Sequence, residues 1–326
     1  MHKVGVCIVN YRTAELVKEC LQGLFAIKGE ASELKVAVVD NDSGDGSFDA
    51  LQQFVEQQGW EGWVDIVDGE KNGGFSYGNN LAIKTLESSS TPDFFWLVNP
   101  DTRPREGSLK ALITLLDNTS EAGIAGSRLE DDDGTQQISA FNFPRPFGDF
   151  VNTLGLGVLR RTFPSYVVAQ KLHSGEAESV DWVAGASMLI KREVVDAIGL
   201  MDEDYFLYFE EVDYCITAKR AGFKTFVVPE SRVVHYVGAS TGISDTRKKA
   251  KRRPTYWFES RKRFFFKNYG FLSLFFADVC WMVAYPLKRI KMALTRKECL
   301  DPPYFLRDFF MNSIFVRGAN IGSREQ

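Results

Sequence analysis

Short apolar runs alternate with segments of helical periodicity in the first part of the chain. Residues 4–9 form the first run, and apolar residues then recur every three or four positions over 13–27, where Thr13 is a suitable N-cap. The alternation continues with predicted strands at 34–39, 64–67 and 94–98 and predicted helices at 47–58, 76–86 and 106–116. Strands that alternate with helices predict a mostly parallel sheet with right-handed crossovers. We therefore expect an α/β fold.

Polar side chains stand at the carboxyl ends of these predicted strands. Asn10 and Asp40 follow the first and second strands, and the fully apolar strand 94–98 runs into the sequence NPD, which ends at Asp101. Open α/β sheets bind their ligands at this edge. The same residue types also favour ordinary turns for local reasons. Taken alone, this pattern is compatible with a turn or with a binding site.

The composition argues against several classes of protein. The chain has 326 residues, of which 44% are hydrophobic, and this is enough for one large domain or two smaller ones. Its three histidines make a zinc site of several histidines unexpected, and its five cysteines form no CxxC pair, which favours reduced thiols in the cytosol. We expect no signal peptide, because the N-terminus leads directly into the first strand.

Charge is distributed unevenly along the chain. Residues 1–246 contain 21 basic and 37 acidic side chains, whereas residues 247–326 contain 18 basic and 6 acidic ones. A basic tail on an acidic body indicates an anionic partner for the tail, either membrane lipid or nucleic acid. Nucleic-acid binding is not expected, since no known nucleic-acid-binding pattern is present.

The basic tail contains an apolar stretch, 271–286, that is rich in Phe and Trp and interrupted by Asp278. It is shorter than a typical membrane-spanning helix. With basic clusters on both sides, it favours a helix that lies in the membrane interface. The alternative is a helix that packs on the rest of the chain or on a second subunit.

Two loops rich in glycine and short polar residues follow the second and third predicted strands. VVDNDSGDGS (38–47) can offer carboxylates and backbone N–H groups to a nucleotide, and KNGGFSYGNN (71–80) lets the backbone approach a ligand closely. The second loop does not match the GxGxxG pattern of dehydrogenases and lacks the GK[ST] of a P-loop. Ordinary glycine-rich turns are the alternative.

Three carboxylates lie within four positions in the segment FEEVDYC. Glu210 and Asp213 would share one face of a helix predicted over 211–220, and Glu211 would point elsewhere. Such clustered charge is costly unless the carboxylates are solvated, paired or used in chemistry. A favourable interaction with the helix dipole is the alternative.

The remaining segments give weaker signals. Residues 130–180 are expected to be an irregular loop region, since they contain an acidic run and scattered prolines. Order returns at 181–199, a strand followed by a helix that Gly199 ends. A strand at 226–228 precedes His235, and a lone histidine in such a place is more often a satisfied core residue than a ligand.

Seven segments, considered together, carry a resemblance to a known family. They read VCIVNYRT, VVDNDSGDGS, NGGFSYGNN, WLVNPDT, DWVAGASMLIKRE, YFLYFEEVDYC and VVHYVGAST, and they cover about residues 3–241. In this order they resemble glycosyltransferase family 2, particularly its bacterial rhamnosyltransferase branch. The resemblance implies an α/β fold of the GT-A nucleotide-diphospho-sugar transferase type, Rossmann-like with a mostly parallel central sheet. It also implies a catalytic domain over 1–246, with a donor-binding half at about 1–128 and an acceptor and base half at about 129–246, followed by a helical, basic and aromatic extension over 247–326.

The same resemblance implies roles for individual residues. Asp101 would hold Mg²⁺ or Mn²⁺ on the donor diphosphate, and His235 would complete the metal site. The residues that would bind the donor are Asn10, Asp40, Asp42, Asn72, Gly73, Gly74, Asn79, Asn99 and Asp101. Asn99 departs from the acidic pair that many members have. Glu211 would be the catalytic base, which is usually an aspartate in the family, and Glu210 is its rival.

The function implied is that of an inverting, metal-dependent hexosyltransferase. It would transfer L-rhamnose from dTDP-rhamnose to a cell-surface glycan, such as O-antigen or cell-wall polysaccharide, or to a lipid-linked acceptor. It would be cytoplasmic and peripheral on the inner face of the plasma membrane, with residues 247–297 on anionic lipid, and a homo-oligomer is allowed. Because Asn99 and Glu211 depart from the family pattern, a catalytically silent nucleotide-sugar-binding or scaffold protein at the membrane is the alternative. A glycoside hydrolase with paired carboxylates fits poorly, since the glycine-rich and Asp-rich loops would then hold no nucleotide.

Overall fold

The structure, a computed structural model, describes residues 2–172, 175–236 and 250–319. Its strands are β1 (Lys3–Asn10), β2 (Glu33–Asp40), β3 (Val64–Asp68), β4 (Phe94–Val98), β5 (Thr102–Pro104), β6 (Ala122–Glu130), β7 (Ala140–Phe141), β8 (Ala169–Gln170), β9 (Glu178–Val180), β10 (Trp182–Val183), β11 (Ser187–Lys191) and β12 (Lys224–His235). Its α-helices are α1 (Ala14–Ala26), α2 (Ser47–Gln58), α3 (Gly74–Ser89), α4 (Ser108–Asn118), α5 (Pro146–Leu154), α6 (Gly157–Thr162), α7 (Arg192–Ile198), α8 (Glu210–Arg220), α9 (Thr255–Leu294), α10 (Phe305–Asn312) and α11 (Ile314–Arg317).

The main sheet is parallel in one half and mixed in the other. Its strand order is β3-β2-β1-β4-β11-β6-β12-β5, with β9 beside β12. β1 pairs in parallel with β2 and β4, and β2 pairs in parallel with β3, whereas β11 runs antiparallel to both β4 and β6. All the strands and helices predicted over the first part of the chain are present. The parallel register sets Asn10 directly opposite Asp40, so that the ends of β1 and β2 meet at one edge.

Helices cover both faces of the sheet, and the strand side chains alternate between two apolar clusters. On β1, Val6 and Ile8 pack with α1, α2 and α4, and Cys7 packs on the opposite face with α3 and α8. β4 is buried at all of its positions. This explains its continuous apolar sequence, since a central strand covered on both faces has no solvated side.

The periodicity does not predict β6, although β6 lies in the middle of the sheet between β11 and β12. Its glycines interrupt the apolar pattern because neighbouring side chains fill the space that a side chain would need. A Cβ at Gly126 would lie within 2.5 Å of Val183, and one at Gly123 would lie within 2.6 Å of Val194. These glycines are therefore packing residues of a central strand, although they look like turn signals in the sequence.

β12 is much longer than the three residues that the sequence predicts. It continues past Pro229 with a register shift between Val228 and Arg232, and then pairs with β5. A proline inside a strand is accommodated at such irregularities. The extension places His235 opposite Thr102, directly after Asp101.

The expectation of an irregular region over 130–180 is wrong in part. The region contains the helices α5 and α6 and the strands β7 and β8. These two strands form a small three-stranded sheet of order β10-β7-β8 with β10, which follows the region in the chain. The rings of Phe141 and Trp182 stack 4.1 Å apart across this small sheet. Strands of two residues are too short for side-chain alternation to predict them.

α9 is a helical hairpin and not one straight rod. Gly270 adopts φ 81° and ψ 179°, which divides α9 into an N-terminal arm (255–269) and a C-terminal arm (271–294). Arg261 Nη1 donates to Asp278 Oδ1 at 2.6 Å. In a continuous helix these residues would be about 26 Å apart along the axis, so the two arms must fold back on each other.

The N-terminal arm is packed into the same body as the sheet. Phe264 and Phe265 lie in one cluster with Cys215 of α8, and Ser260 Oγ donates to the carbonyl of Leu207 at 3.1 Å. The predicted boundary at residue 246 lies outside the described residues, so the division into a catalytic domain and an extension stays a prediction.

Candidate active site

A cavity of about 460 Å³ opens at the carboxyl ends of the parallel strands. Its volume suits a small-molecule ligand. It is lined by Val9, Tyr11, Thr13, Asn41, Asn72, Gly74, Phe75, Asn99, Pro100, Phe206, Leu207 and Tyr256. Residues from the ends of β1, β2 and β4 therefore meet here, which is the edge that the sequence predicts for a site.

Asn10 and Asp40 form a buried pair at the ends of β1 and β2. Asn10 Nδ2 donates to Asp40 Oδ1 at 2.5 Å, and the Ser43 hydroxyl donates to the same oxygen at 2.6 Å. Thr13 precedes α1 as predicted, but its hydroxyl donates to Asn10 Oδ1 at 2.9 Å and makes no bond to the first turn of the helix. Asn10, Asp40 and the exposed Asp42 are all absent from the cavity lining, although Asn10 and Asp40 directly precede the lining residues Tyr11 and Asn41, so the donor contacts of all three stay predictions.

Asn41 is a cavity residue that the sequence analysis does not single out. Its Nδ2 donates to the carbonyl of Gly74 at 2.8 Å. Its Oδ1 is buried and has no hydrogen-bond partner within the described parts of the chain. An unmade hydrogen bond at a buried group is costly, so this oxygen is a candidate acceptor for a ligand that reaches it. The sequence feature that could identify Asn41 is its position between Asp40 and Asp42, directly after β2.

The glycine-rich loop is held against the segment that leads into α8. Gly74 has φ 84°, and a Cβ there would lie 2.0 Å from the carbonyl oxygen of Phe206. The same oxygen accepts a hydrogen bond from Phe75 N at 2.8 Å. A Cβ at Gly73 would lie 2.3 Å from the ring of Tyr77. These glycines are thus required for close packing, and Asn72 and Gly74 line the cavity as a result.

Asn79 does not line the cavity. Its Nδ2 donates to the carbonyl of Phe75 one turn earlier in α3, at 2.9 Å. The next residue, Asn80, bonds both the carbonyl and the N–H of Met201 and so ties α3 to the loop before α8. The predicted donor contact of Asn79 stays a prediction.

Asp101 and His235 meet beside the cavity. Asp101 Oδ1 lies 3.6 Å from His235 Nε2, and the Asp101 side chain is only 1% exposed. On the far side of the ring, His235 Nδ1 lies 3.2 Å from Gln137 Oε1, and Gln137 Nε2 donates to the His235 carbonyl at 2.8 Å. Because an amide oxygen only accepts, Nδ1 carries the proton and Nε2 is directed at Asp101. Gln137 thus orients the imidazole, and the sequence gives no signal for it.

Burial lowers the pKa of His235, against the opposing effect of the Asp101 and Asp131 carboxylates. A neutral imidazole and a carboxylate are both ligands that Mg²⁺ or Mn²⁺ accepts. Within residues 2–172, 175–236 and 250–319 no group of three or more His, Cys, Asp or Glu side chains could hold a metal by itself. The Asp101–His235 pair therefore fits a divalent cation that takes its other ligands from a donor diphosphate and from water.

α8 begins at a strained turn. Tyr208 and Phe209 have φ values of 74° and 70°, in the left-handed region that bulky residues avoid. Such a conformation costs about 1–3 kcal/mol per residue. The turn places Glu210 and Glu211 in the first turn of α8. Consecutive left-handed aromatic residues cannot be foreseen from composition or periodicity.

Glu210 and Glu211 have strongly perturbed pKa values. Burial raises the pKa of Glu211 to about 7. Burial, with the neighbouring charge of Glu211, raises the pKa of Glu210 well above its ordinary range. The Oε2 atom of each has no hydrogen-bond partner within the described residues. Carboxylates that ionise near neutral pH are suited to general-base catalysis.

Glu211 lies close to the cavity wall. Gly185 lies between Glu211 and Phe75, and Phe75 lines the cavity. A Cβ atom placed on Gly185 would be 3.0 Å from the Phe75 ring and 3.9 Å from the Cβ of Glu211. The Asp213 carboxylate, by contrast, accepts three hydrogen bonds from other side chains. They come from Tyr205 at 3.2 Å, from Lys267 at 2.7 Å and from Asn268 at 2.7 Å. Of the three clustered acids, Asp213 thus ties α8 to α9, and the two glutamates are the candidates for chemistry.

The C-terminal region contributes directly to the cavity, which the sequence analysis does not predict. Tyr256, in the first turn of α9, is a lining residue. Its ring is 5.1 Å from that of Phe206 and 6.2 Å from that of Tyr208. These aromatic rings connect the start of α9 to the turn that carries the two glutamates, and they offer flat apolar surface to a sugar or a base.

The fold is that of the GT-A class of glycosyltransferases. The mannosyltransferase PcManGT of Pyrobaculum calidifontis, solved with GDP-Man and Mn²⁺, has a similar fold, with a TM-score of 0.53 and 16% identity over 90% of this chain and 75% of its own. GalNAc-T7, solved with UDP, GalNAc and Mn²⁺, has a TM-score of 0.52 and 14% identity over 72% of this chain and 44% of its own, longer chain. The predicted fold class is confirmed.

The chain belongs to the family described as "Glycosyltransferase like family 2", whose model matches residues 2–263. N-acetylglucosaminyl-diphospho-decaprenol L-rhamnosyltransferase of Mycobacterium tuberculosis is 28% identical over 232 residues, 68% of this chain and 73% of the relative. Rhamnosyltransferase WbbL of Escherichia coli is 25% identical over 237 residues, 72% of this chain and 83% of the relative. dTDP-rhamnosyl transferase RfbF of Shigella flexneri is 23% identical over 224 residues, 67% of this chain and 66% of the relative. The predicted family and its rhamnosyltransferase-like branch are confirmed.

Proposed function

We propose that this glycosyltransferase transfers L-rhamnose from dTDP-rhamnose to a glycan acceptor, with inversion at the anomeric carbon and with a divalent cation. The observation that carries the proposal is the pairing of Asp101 with His235 beside a cavity whose wall approaches Glu211. A metal-binding pair and a base would thus lie at one site. The choice of rhamnose rests on the similarity to three relatives that are named as rhamnosyltransferases.

The donor nucleotide would occupy the cavity at the ends of β1 and β2. The Asn10–Asp40 pair is rigid, since both side chains are buried and bonded to each other, and it would hold the base. Asn41 Oδ1 would accept a hydrogen bond from the donor. Asn72, Gly74 and Asn99 would border the sugar and diphosphate, because they line the same cavity.

Asp101 and His235 would hold Mg²⁺ or Mn²⁺ against the donor diphosphate. The chemistry that a divalent cation supplies there is neutralisation of the charge that develops on the departing nucleotide diphosphate. Asn99 removes one negative charge from the site compared with an acidic pair. Asp101 would then be the one oxygen ligand that the protein supplies to the cation, and oxygens of dTDP would supply further ligands.

Glu211 would act as the general base on the acceptor hydroxyl. As the acceptor oxygen bonds to the anomeric carbon, the bond from that carbon to the diphosphate oxygen breaks, and the hydroxyl proton passes to the Glu211 carboxylate. Attack from the face opposite the leaving group inverts the configuration. Burial would keep the pKa of Glu211 at about 7, and burial together with the charge of Glu211 would keep Glu210 protonated while Glu211 acts as the base.

The acceptor would be a lipid-linked glycan diphosphate for a cell-surface polysaccharide, such as O-antigen or cell wall. The mycobacterial relative, an N-acetylglucosaminyl-diphospho-decaprenol L-rhamnosyltransferase, supports this choice of acceptor. The protein would then work in the cytoplasm, peripherally on the inner face of the plasma membrane.

The test is nucleotide release by the purified chain. dTDP-rhamnose, UDP-sugars and GDP-sugars are each incubated with a lipid-linked N-acetylglucosaminyl diphosphate, with Mg²⁺, with Mn²⁺ or with chelator. We expect dTDP release that requires both acceptor and cation, and a product whose anomeric configuration is opposite to that of the donor. Turnover with another nucleotide sugar only would overturn the donor assignment. No turnover with any donor would overturn the enzymatic proposal in favour of a nucleotide-sugar-binding protein.

A further inference from the structure

The outward face of the C-terminal arm of α9 is apolar along its whole length. Its exposed residues are Leu272, Phe276, Val283, Leu287, Ile290 and Leu294. Their spacing of three, four or seven positions puts them on one stripe of the helix. The stripe is about 33 Å long at the helical rise of 1.5 Å per residue. A surface helix of a globular protein normally turns charged and polar residues outward, so this arm has the opposite pattern.

Neighbouring elements extend the stripe into a broader surface. Phe271 and Phe275 flank it on the same arm, and the ring of Phe275 lies 5.4 Å from that of Phe315 in α11. Further exposed apolar residues follow on α10 and α11, namely Leu306, Phe310, Met311 and Val316. We call the stripe, together with all the residues named in this paragraph, the apolar shelf. Many exposed apolar side chains on one helix face, with one ring contact to a following helix, are typical of an interaction site in a folded protein.

The inner face of the same arm is fully engaged by protein. Asp278, 1% exposed, binds Arg261 at 2.6 Å and accepts from the backbone N–H of Ile314 at 2.9 Å. Arg261 also pairs with Asp149 of α5, and Lys291 donates to the carbonyl of Leu154. Among the described helices α9 alone is long and apolar enough to cross a membrane by length and composition. Because it is a hairpin with an ionic inner face, lipid can reach only its outer side.

Charge distinguishes between the partners that could cover the shelf. Exposed basic side chains lie around it, namely Arg289, Arg296, Lys297, Arg307 and Arg317. Residues 247–326 contain 18 basic and 6 acidic side chains, and the rest of the chain contains 21 basic and 37 acidic ones. A second copy of the chain would bring two basic regions together, which costs energy by like-charge repulsion. An anionic lipid surface attracts the basic region and repels the acidic body, so it also fixes the orientation.

We propose that the apolar shelf is the face on which this protein lies in the surface of an anionic lipid bilayer, embedded on one side and not crossing it. The N-terminal arm of the hairpin starts at the cavity with Tyr256, and the C-terminal arm carries the shelf. α9 therefore joins the cavity to the membrane plane. The link between the cavity and the membrane rests on the proposed function, since it concerns a lipid-linked acceptor. The contact of the apolar shelf with lipid does not depend on the proposed function.

The test is co-sedimentation of the full chain with vesicles of phosphatidylcholine alone or of phosphatidylcholine with phosphatidylglycerol, without any sugar donor. We expect binding that requires phosphatidylglycerol and that weakens as salt is added. Leu272→Glu and Phe276→Glu should each weaken binding by about tenfold or more, since each removes a large apolar contact and adds a like charge to the lipid surface. Phe25→Glu, on the exposed side of α1, is the matched control and should bind as the wild type does.

Folding of each variant is checked by its thermal unfolding midpoint, which should change least for Leu272, at 79% exposed, and more for Phe25, at 48% exposed and stacked 4.9 Å from the ring of Trp60. Extraction of bound protein by alkaline carbonate supports the proposal, and resistance to it would overturn the one-sided mode of insertion. Binding that is equal for all three variants and the wild type would overturn the shelf as the contact. A stable dimer without lipid that Leu272→Glu dissociates would also overturn the proposal, since a second copy would then cover the shelf. Vesicle binding without glycosyl transfer would overturn the proposed function alone.

Discussion

The Asp101 carboxylate lies 3.6 Å from Nε2 of His235, although the two residues belong to distant parts of the chain. The contact is built by the backbone. β12 pairs with β5 so that His235 stands opposite Thr102, and the N–H of Tyr236 donates to the Asp101 carbonyl at 2.9 Å. The position of the imidazole is thus fixed by strand register before any ligand binds, which reduces the ordering that a ligand must cause.

Glu211→Gln should abolish most turnover and leave donor binding intact. The amide keeps the size of the side chain and cannot accept the acceptor proton, so we expect kcat to fall by about 10²–10⁴-fold. Donor affinity, measured by calorimetry with the nucleotide sugar, should stay near the wild-type value. Full activity in this variant would exclude Glu211 as the base.

Glu210→Gln is the matched control for that experiment. Glu210 is more deeply buried than Glu211, and its side chain does not face the solvent. We expect Glu210→Gln to retain turnover within about tenfold of wild type, because burial and the charge of Glu211 favour the protonated form of Glu210, which cannot serve as the base. If Glu210→Gln loses activity and Glu211→Gln keeps it, the roles of the two residues are exchanged.

The pH dependence of kcat/KM tests the ionisation of Glu211 and Glu210. Burial raises the pKa of Glu211 to about 7. The base acts in its ionised form, so kcat/KM should rise with pH through about 7 and level off above it. Burial and the charge of Glu211 raise the pKa of Glu210 well above its ordinary range, so Glu210 carries no charge while Glu211 ionises, and Glu210→Gln should leave the midpoint near its wild-type value. A profile that is flat across pH 7, or a large shift of the midpoint in Glu210→Gln, contradicts this account.

Gly74→Ala tests why the loop contains glycine. The new Cβ would meet the Phe206 carbonyl at 2.0 Å, and φ is 84°. We expect the free energy of unfolding to fall by about 3 kcal/mol, measured by urea denaturation. Gly29→Ala is the control, because a Cβ there meets nothing within 4 Å, and it should change stability little. Equal effects of the two substitutions would refute the packing role of the loop.

Asp278→Ala tests the ionic core of the α9 hairpin. It leaves Arg261 with Asp149 as its remaining buried partner and the N–H of Ile314 without an acceptor. Removing one partner of a buried ion pair costs about 3–5 kcal/mol. Glu121→Ala, which breaks a half-exposed pair with Lys224, should cost less than about 1 kcal/mol. Similar denaturation midpoints for the two variants would contradict the hairpin arrangement.

Much of the fold can be predicted from the sequence because periodicity is strong where strands are central and helices amphipathic. The strand 94–98 and the helix 47–58 have the predicted ends. β6 is missed because its glycines, such as Gly126, make room for neighbouring side chains and remove the apolar signal. β12 is underestimated because Pro229 looks like a strand end, while a register shift lets the strand continue.

The candidate site divides in a similar way. Asn10, Asp40 and Asp101 are found because they follow apolar strands, and position along a parallel strand predicts position at the sheet edge. Gln137 and Tyr256 are missed, since their roles depend on contacts with His235 and with the cavity that only the folded chain creates. Asp42 is assigned to the donor site by resemblance; it is exposed and, like Asn10 and Asp40, is not part of the cavity lining, so its role stays a prediction.

The central claim is that Asp101 holds a divalent cation on the donor diphosphate. Its most direct test is calorimetric binding of dTDP to the wild type, to Asp101→Asn and to Asp196→Asn, an exposed control on α7, each with Mn²⁺ and with chelator. We predict that Mn²⁺ strengthens dTDP binding by about tenfold or more in the wild type and in the control, and that Asp101→Asn loses this gain. If Mn²⁺ strengthens binding equally in Asp101→Asn, or if chelation has no effect on the wild type, the account is contradicted.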